Sequence, residues 1–181
     1  MLTFKPAKVL LLSYGSISCK HIKSLRYLWP EISIAIFHSR SVHKTTPVDL
    51  ISFHNLDSAI SWDPDFAIIC SPSTLHITQA IALSSANIPT LIEKPLSSDI
   101  VSPYSRELLI QLSAKVPIRI AYLLRQDEGI VFLKEYLSNV LPQPYLEADF
   151  YCGSWLPDWR PNMNYEESVS ARRCLGGGVG N

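Results

Sequence analysis

The 181-residue sequence lacks the features that mark several common classes of protein. Its four cysteines contain no C-x-x-C pair, and no set of cysteines and histidines has the spacing of a zinc site. We therefore expect no metal site. Unpaired thiols are typical of a reducing compartment, so the sequence predicts a cytoplasmic protein.

Long apolar runs and an excess of one charge are also missing. No segment approaches the roughly 20 apolar residues that a membrane-spanning helix needs. Sixteen basic residues balance 16 acidic ones, and the formal net charge is zero. Because nucleic-acid phosphates attract clustered lysine and arginine, we expect no nucleic-acid partner and no membrane partner.

The chain does contain a regular alternation of short aliphatic strands and amphipathic helices. Continuous aliphatic segments predict buried parallel strands, and apolar residues at helical spacing predict the helices between them. The predicted strands are residues 9–12, 32–37, 49–53, 66–69, 90–92 and 118–123, and the predicted helices are residues 16–29, 74–86, 105–114 and 129–139, with a short further helix capped by Asn55 or Asp57. This order is typical of an α/β protein, and we predict a Rossmann-type doubly wound parallel sheet.

The pattern changes after the proline-rich segment 142–144. Residues 146–152 alternate apolar and polar side chains, which suits a half-exposed strand of a different sheet. We predict a nucleotide-binding domain over residues 1–120 and the truncated start of a second α/β domain, for substrate binding and oligomerisation, over residues 121–181. A lone strand leaves unpaired backbone groups along its edges, so we also expect self-association through it.

The segment after the first strand is a candidate phosphate-binding turn. Such a turn needs small residues at three positions, which here are Ser13, Gly15 and Ser18. The middle position is the hardest to replace, because any Cβ there would push the phosphates away. The helix that follows offers N–H groups and a positive dipole end to a phosphate. An ordinary strand–helix turn is an equally good interpretation of these residues.

The end of the second predicted strand bears on the choice of cofactor. The position that usually carries an acidic residue for a ribose 2′-hydroxyl group has the sequence His38-Ser39-Arg40-Ser41. A cation and hydroxyl groups suit a 2′-phosphate better, so the prediction is NADP or NAD, with NADP favoured. The alternative is a solvated arginine on a loop.

Lys94 stands at the end of the fifth predicted strand, ahead of Pro95, which stops that strand. Oxidation of an alcohol moves a hydride to nicotinamide and removes a hydroxyl proton. A lysine at the carboxyl end of a buried strand can hold that hydroxyl group and stabilise the developing alkoxide. The alternative interpretation is a surface lysine in a strand–proline turn.

With these residues in view, the chain resembles the Gfo/Idh/MocA family of NAD(P)-dependent oxidoreductases, which act mainly on sugars and related polyols. The most specific motifs are SPSTLH at residues 71–76 and EKP at residues 93–95. The segment WLPDWRP at residues 155–161, with residues 165, 170–172 and 176–178, looks like a subgroup found among surface-polysaccharide and nucleotide-sugar enzymes.

The resemblance implies hydride transfer between nicotinamide and a sugar or nucleotide-sugar hydroxyl or carbonyl group, with Lys94 as the catalytic-site lysine. It implies cofactor-binding roles for Ser13, Gly15, Ser16, Ile17, Ser39, Arg40, Ser71, Pro72, His76, Glu93 and Lys94, and it places Arg160, Tyr165 and Arg172 on the substrate side. For His76, a histidine that satisfies loop carbonyls at the start of a helix is an alternative interpretation.

The sequence also departs from the family pattern. Two of the three glycines of the turn are serines, and Leu123 and Gln126 stand where the family has an asparagine and an aromatic residue. The strand and helix that carry an aspartate and a histidine after the family's triple glycine have no counterpart in these 181 residues. The alternative function is therefore a catalytically inactive nucleotide-binding remnant or an interaction scaffold.

Overall fold

A computed structural model of the chain describes residues 5–39, 46–140, 147, 149, 151, 155–159 and 164–172. Six strands alternate with five α-helices in the order β1 Lys8–Leu12, α1 Ser16–Leu28, β2 Ser33–Phe37, β3 Ile51–Phe53, α2 Leu56–Ser61, β4 Phe66–Ile69, α3 His76–Ser85, β5 Thr90–Ile92, α4 Pro103–Ser113, β6 Ile118–Ile120 and α5 Glu128–Val140. The strands form one sheet in the order β3-β2-β1-β4-β5-β6, and all its pairings are parallel. The predicted Rossmann-type doubly wound sheet is confirmed.

The sheet is covered on both faces, which explains its unbroken aliphatic strands. Successive side chains of a strand point to opposite faces. In β1, Leu11 belongs to a core cluster that includes Leu25 of α1, whereas Leu10 belongs to a second cluster that includes Leu83 of α3. Since both leucines are fully buried, helices α1 and α3 lie on opposite faces of the central strand.

Two helix starts differ from the prediction for local reasons, and a third is decided between two predicted caps. Helix α3 begins at His76, because a 3₁₀ turn over Ser73–Leu75 precedes it. Helix α4 begins at Pro103, since the Ser102 hydroxyl accepts the N–H of Ser105 at 3.1 Å and caps the helix. The predicted cap of the short helix α2 is resolved in favour of Asn55, whose side chain accepts the N–H of Ser58 at 2.9 Å.

The sixth strand is shorter than predicted. It ends at Ile120, and the N–H of Tyr122 donates to the carbonyl of Ile120 at 2.8 Å, which turns the chain out of the sheet. A 3₁₀ turn over Leu123–Gln126 follows, and then α5. The prediction of a strand through residue 123 was wrong because local turn hydrogen bonds replace the ladder bonds there.

Beyond α5 the structure describes three short 3₁₀ turns, Leu156–Trp159, Tyr165–Glu167 and Val169–Ala171. Most of the predicted strand at residues 146–152 and the glycines at 176–178 lie outside the described residues. The domain boundary at residue 120 and self-association through that strand therefore stay predictions. In the part of the chain that is described, no helix is long and apolar enough to cross a membrane.

Candidate functional site

The carboxyl ends of four adjacent strands lie level with one another. Leu12, the last residue of β1, pairs with Phe37 at the end of β2 and with Ile69 at the end of β4, and Ile69 pairs with Ile92 at the end of β5. The residues that follow these four ends therefore meet at one edge. The strand order reverses between β1 and β4, and open α/β sheets bind their ligands in the crevice at such a reversal.

The turn after β1 holds its two serines in glycine positions by hydrogen bonds. Ser13 has a φ of 82°, in the region that favours glycine. Its N–H donates to the carbonyl of Phe37 at 2.7 Å, and its carbonyl accepts the hydroxyl of Ser18 at 2.8 Å. Ser18 is fully buried. The second serine thus fixes the strained backbone of the first.

Gly15 is the N-cap of α1 and opens onto free space. Its φ of −157° is extended backbone, so the turn does not need a glycine for conformational reasons. A Cβ built on Gly15 would meet no heavy atom of the described residues within 4 Å. Ser16 is exposed and Ile17 half-buried in the first turn of α1, which has no acidic residue. This N-terminus therefore suits an anionic group.

Two stacked histidines follow the ends of β2 and β3, one after each strand. The rings of His38 and His54 lie 5.1 Å apart between centroids, and the Thr46 hydroxyl lies 3.0 Å from Nε2 of His38. Burial and the charge of His54 lower the pKa of His38 below its ordinary value. Ser39 follows and is half-buried, whereas Arg40 lies outside the described residues.

At the end of β4, two side chains join the loop to α3 and to the next strand. The Ser71 hydroxyl donates to Oε1 of Gln79 at 2.5 Å. His76 is 1% exposed; its Nε2 lies 2.8 Å from the carbonyl oxygen of Ser71, and its Nδ1 lies 2.8 Å from that of Pro95. This is the arrangement of the second interpretation, in which the histidine satisfies loop carbonyls. Pro72 is half-buried beside it.

At the end of β5, Glu93 is paired and Lys94 is exposed. Oε1 of Glu93 lies 2.8 Å from Nε2 of His21 on α1, and the two side chains are 13% and 20% exposed. Burial alone would raise the pKa of Glu93, but the hydrogen bond and charge of His21, with the N–H and charge of Lys94, lower it overall. The Lys94–Pro95 peptide bond is cis.

Cys70 lies beneath these groups, directly after β4. Burial raises the pKa of its thiol to about 12; its hydrogen bond with Ser18 acts in the lowering direction and the charge of Glu93 in the raising direction. A thiol that stays protonated is a poor nucleophile and metal ligand. Cys70 therefore contributes packing at the floor of the crevice.

The three residues assigned to the substrate side are described unequally. Arg160 lies outside the described residues. Tyr165 is exposed, and Arg172 donates from Nε to the carbonyl of Glu166 at 3.3 Å, within the same short segment. Their position relative to Lys94 stays a prediction.

Sequence reasoning missed His21. The signal was present, because His21 falls three residues after Ser18 and four before Leu25, both buried on the inner side of α1. A polar residue on an apolar helical face needs a partner. The identity of that partner, Glu93, is 72 residues away and could not be read from the spacing.

A parallel sheet with this strand order, an open glycine at the first turn and a crevice at the order reversal define a dinucleotide-binding Rossmann domain. Residues 8–111 match the GFO_IDH_MocA family, described as an oxidoreductase family with an NAD-binding Rossmann fold. The match covers more than half of the chain, which therefore belongs to the Gfo/Idh/MocA family. No curated protein sequence matches the chain.

Solved structures of dehydrogenases share the fold. The WlbA dehydrogenase from Bordetella pertussis, in complex with NADH and UDP-GlcNAcA, aligns with a TM-score of 0.58 and 18% identity over 74% of this chain and 42% of its own. The scyllo-inositol dehydrogenase from Lactobacillus casei, with bound NAD(H) and scyllo-inositol, aligns with a TM-score of 0.60 and 19% identity over 75% of this chain and 42% of its own. The chain spans about two fifths of the length of these structures.

The positive φ of Ser13 predicts how the turn responds to substitution. Ser13→Val should lower the free energy of unfolding by about 1–3 kcal/mol, because a β-branched residue is strained there, whereas Ser13→Gly should relieve strain. Urea denaturation measures both. Ser33→Val, at an exposed strand position, is the matched control. Equal stability of Ser13→Val and the wild type would contradict the strained turn.

The lowered pKa of Glu93 predicts an acid-dependent contribution to stability. Its ionised form stabilises the fold fully above the ordinary value of 4.5, and that contribution is lost as the pH falls through the lower folded-state pKa. The stability advantage of wild type over Glu93→Gln should therefore shrink between about pH 5 and pH 3. Urea titrations across this range measure it, with Glu31→Gln as the exposed control. A stability advantage of the wild type that grows as the pH falls would show that the pKa of Glu93 is not lowered.

Proposed function

We propose that this chain binds a nicotinamide dinucleotide across its β1–β4 crevice and belongs to an oxidoreductase that moves a hydride between that cofactor and a hydroxyl or carbonyl group of a sugar or nucleotide sugar. The observation that carries the proposal is the open space at Gly15. The family match supports the cofactor class, and the substrates in the titles of the structural neighbours suggest the substrate class.

The residues of the crevice fit a dinucleotide. A Cβ at Gly15 would occupy space that no described atom fills, at the positive end of α1, where a diphosphate is stabilised by N–H groups and the helix dipole. Ser13, Ser16 and Ile17 lie within two residues of Gly15 in the sequence. Ser71, Pro72, His76, Glu93 and Lys94 follow the next two strands, on the side proposed for the nicotinamide half.

The exposed Lys94 is the group proposed to act on the substrate. When bound, a nicotinamide cofactor supplies the hydride acceptor or donor. The Lys94 ammonium group can donate a hydrogen bond to the substrate oxygen and stabilise negative charge that develops on it during oxidation. Oε1 of Glu93 is paired with His21, and the Glu93 carboxylate also interacts with the N–H and the charge of Lys94. Arg160, Tyr165 and Arg172 are proposed to face the substrate.

The end of β2 is proposed to choose between NADP and NAD. No carboxylate stands at residues 38–41, so the usual partner of two ribose hydroxyl groups is missing from that position. Ser39, with Arg40 beside it in the sequence, favours a 2′-phosphate. We propose NADP as the preferred cofactor.

We also propose a domain division, a biosynthetic role and a mode of self-association. The division into a nucleotide-binding domain over residues 1–120 and the start of a substrate and oligomerisation domain over residues 121–181 follows the end of β6 at Ile120. The resemblance at residues 155–161 suggests surface-polysaccharide biosynthesis in the cytoplasm, with self-association through residues 146–152.

A second candidate function is a catalytically inactive nucleotide-binding remnant or an interaction scaffold. The observation that favours it is the pair of serines at two of the three glycine positions, one of them at a φ of 82°. Fluorescence titration with NADPH and NADH, followed by turnover assays with a panel of sugars and nucleotide sugars, separates the two functions. Binding without turnover supports the nucleotide-binding remnant, whereas binding of neither cofactor rules out the oxidoreductase and the remnant and leaves the interaction scaffold.

The open space at Gly15 predicts that a larger side chain there weakens cofactor binding without unfolding the protein. Gly15→Val should leave the fold intact, because its Cβ meets no described atom within 4 Å, and should weaken NADPH binding by at least about tenfold through its side chain. Fluorescence titration gives the affinity and circular dichroism the fold. Ser33→Val, at an exposed strand position, is the control. Unchanged affinity in Gly15→Val would remove this turn from the site.

The role of Lys94 predicts separate effects on binding and turnover. Lys94→Ala should leave cofactor affinity nearly unchanged and lower kcat by about 10²–10⁴-fold, because the hydrogen bond to the reacting oxygen is lost. Lys115→Ala, just before β6 at the opposite edge of the sheet, is the matched control. Loss of cofactor binding in Lys94→Ala would show that this lysine has a different role.

A further inference from the structure

Two histidines hold the residues on either side of Lys94. His21 of α1 contacts the carboxylate of Glu93 at 2.8 Å, and His76 of α3 contacts the carbonyl of Pro95 at 2.8 Å. The two helices lie on opposite faces of the sheet, because each belongs to a different core cluster. The segment 93–95 is therefore held from both faces at the end of β5.

Both contacts are anchored by burial. His76 is 1% exposed, and its second ring nitrogen lies 2.8 Å from the carbonyl of Ser71, so one ring joins the ends of β4 and β5. A carbonyl only accepts, and a neutral imidazole carries a single N–H, so the neutral ring donates either to Ser71 or to Pro95, according to which nitrogen carries the proton. His21 lies between the buried Ser18 and Leu25 on its helix, which fixes the backbone from which it reaches Glu93.

The Lys94 side chain itself is exposed and long, so its own contacts do not define its position. A catalytic group has to be held close to its productive geometry, and a displacement of about 1 Å can cost about 10²-fold in rate. The described anchors beside it include the two histidine contacts, the bond from the N–H of Glu93 to the carbonyl of Ile69, and the hydrogen bond from the N–H of Lys94 to the Glu93 carboxylate.

We propose that His21 and His76 are positioning residues, which act through Glu93 and Pro95 to hold Lys94 against the cofactor crevice. This inference rests on the function proposed for Lys94. It assigns His76 a role through the backbone of the neighbouring loop, and it gives His21 a role that the sequence did not suggest.

The test measures the reactivity of Lys94 without requiring turnover. Reductive methylation of lysines, read by peptide mass spectrometry with and without NADPH, reports whether bound cofactor shields the Lys94 amine. In the wild type, NADPH should slow methylation of Lys94. In His21→Asn, whose shorter amide cannot reach the place of Nε2, NADPH should still bind while most of that protection is lost, whereas Lys23→Gln on the exposed side of α1 should keep it.

Two amide substitutions of His76 separate its two contacts. The side-chain nitrogen of His76→Asn can occupy the place of Nδ1 and keep the bond to Pro95, whereas that of His76→Gln can occupy the place of Nε2 and keep only the bond to Ser71. Protection of Lys94 should survive in the asparagine variant and fall in the glutamine variant. Should either variant fail to fold, as judged by thermal melting, the His21→Asn result decides alone.

The outcomes separate this inference from the proposed function. If the wild type binds no NADPH or NADH, or binds them without shielding Lys94, the proposed function of Lys94 fails and the inference falls with it. If the wild type shows protection and His21→Asn, His76→Asn and His76→Gln all keep it, only the positioning role is overturned. Protection lost in His21→Asn and His76→Gln but kept in His76→Asn supports it.

Discussion

The parallel pairing of β1 with both β2 and β4 is the constraint on which the rest of the structure depends. This register brings Leu12 level with Phe37 and Ile69, so the loops that follow three strands begin at one edge. Because the chain leaves β1 towards β2 and later returns on the other side to β4, a crevice opens between the loops. Gly15 and α1 border that crevice from one side, and residues 70–76 and 93–95 follow the strands on the other.

The first turn shows how a fold tolerates the loss of glycines that its function favours. Ser13 has a positive φ, which costs some strain. The Ser18 hydroxyl donates a hydrogen bond to the Ser13 carbonyl, and a glycine at position 18 could not make this bond. At Gly15 no such substitution has occurred. Its backbone is extended and its surroundings are open, so the described protein itself has no steric need for a glycine there. A phosphate bound as proposed would occupy this open space.

Local sequence patterns predicted most of the fold and part of the candidate site. The aliphatic run of β1 and the helical spacing of Ile22 and Leu25 predict their elements because burial of those side chains is the dominant stabilising force. The edge that carries Gly15, His76 and Lys94 also follows from strand order alone. The boundaries were less certain, because β6 ends where the turn bond from Tyr122 to Ile120 competes with ladder bonds. Such competition between local hydrogen bonds leaves little trace in hydrophobic patterning.

The sequence by itself determined the parallel α/β class, the position of the phosphate turn and the lysine at the end of β5, because each follows from residues close together in the chain. Only the tertiary structure decided which polar groups meet. Glu93 finds His21 across 72 residues, and His76 finds Pro95 across 19, since the packing of α1 and α3 on opposite faces brings them to one strand end. Partners of this kind depend on three-dimensional packing, for which a single sequence has no spacing rule.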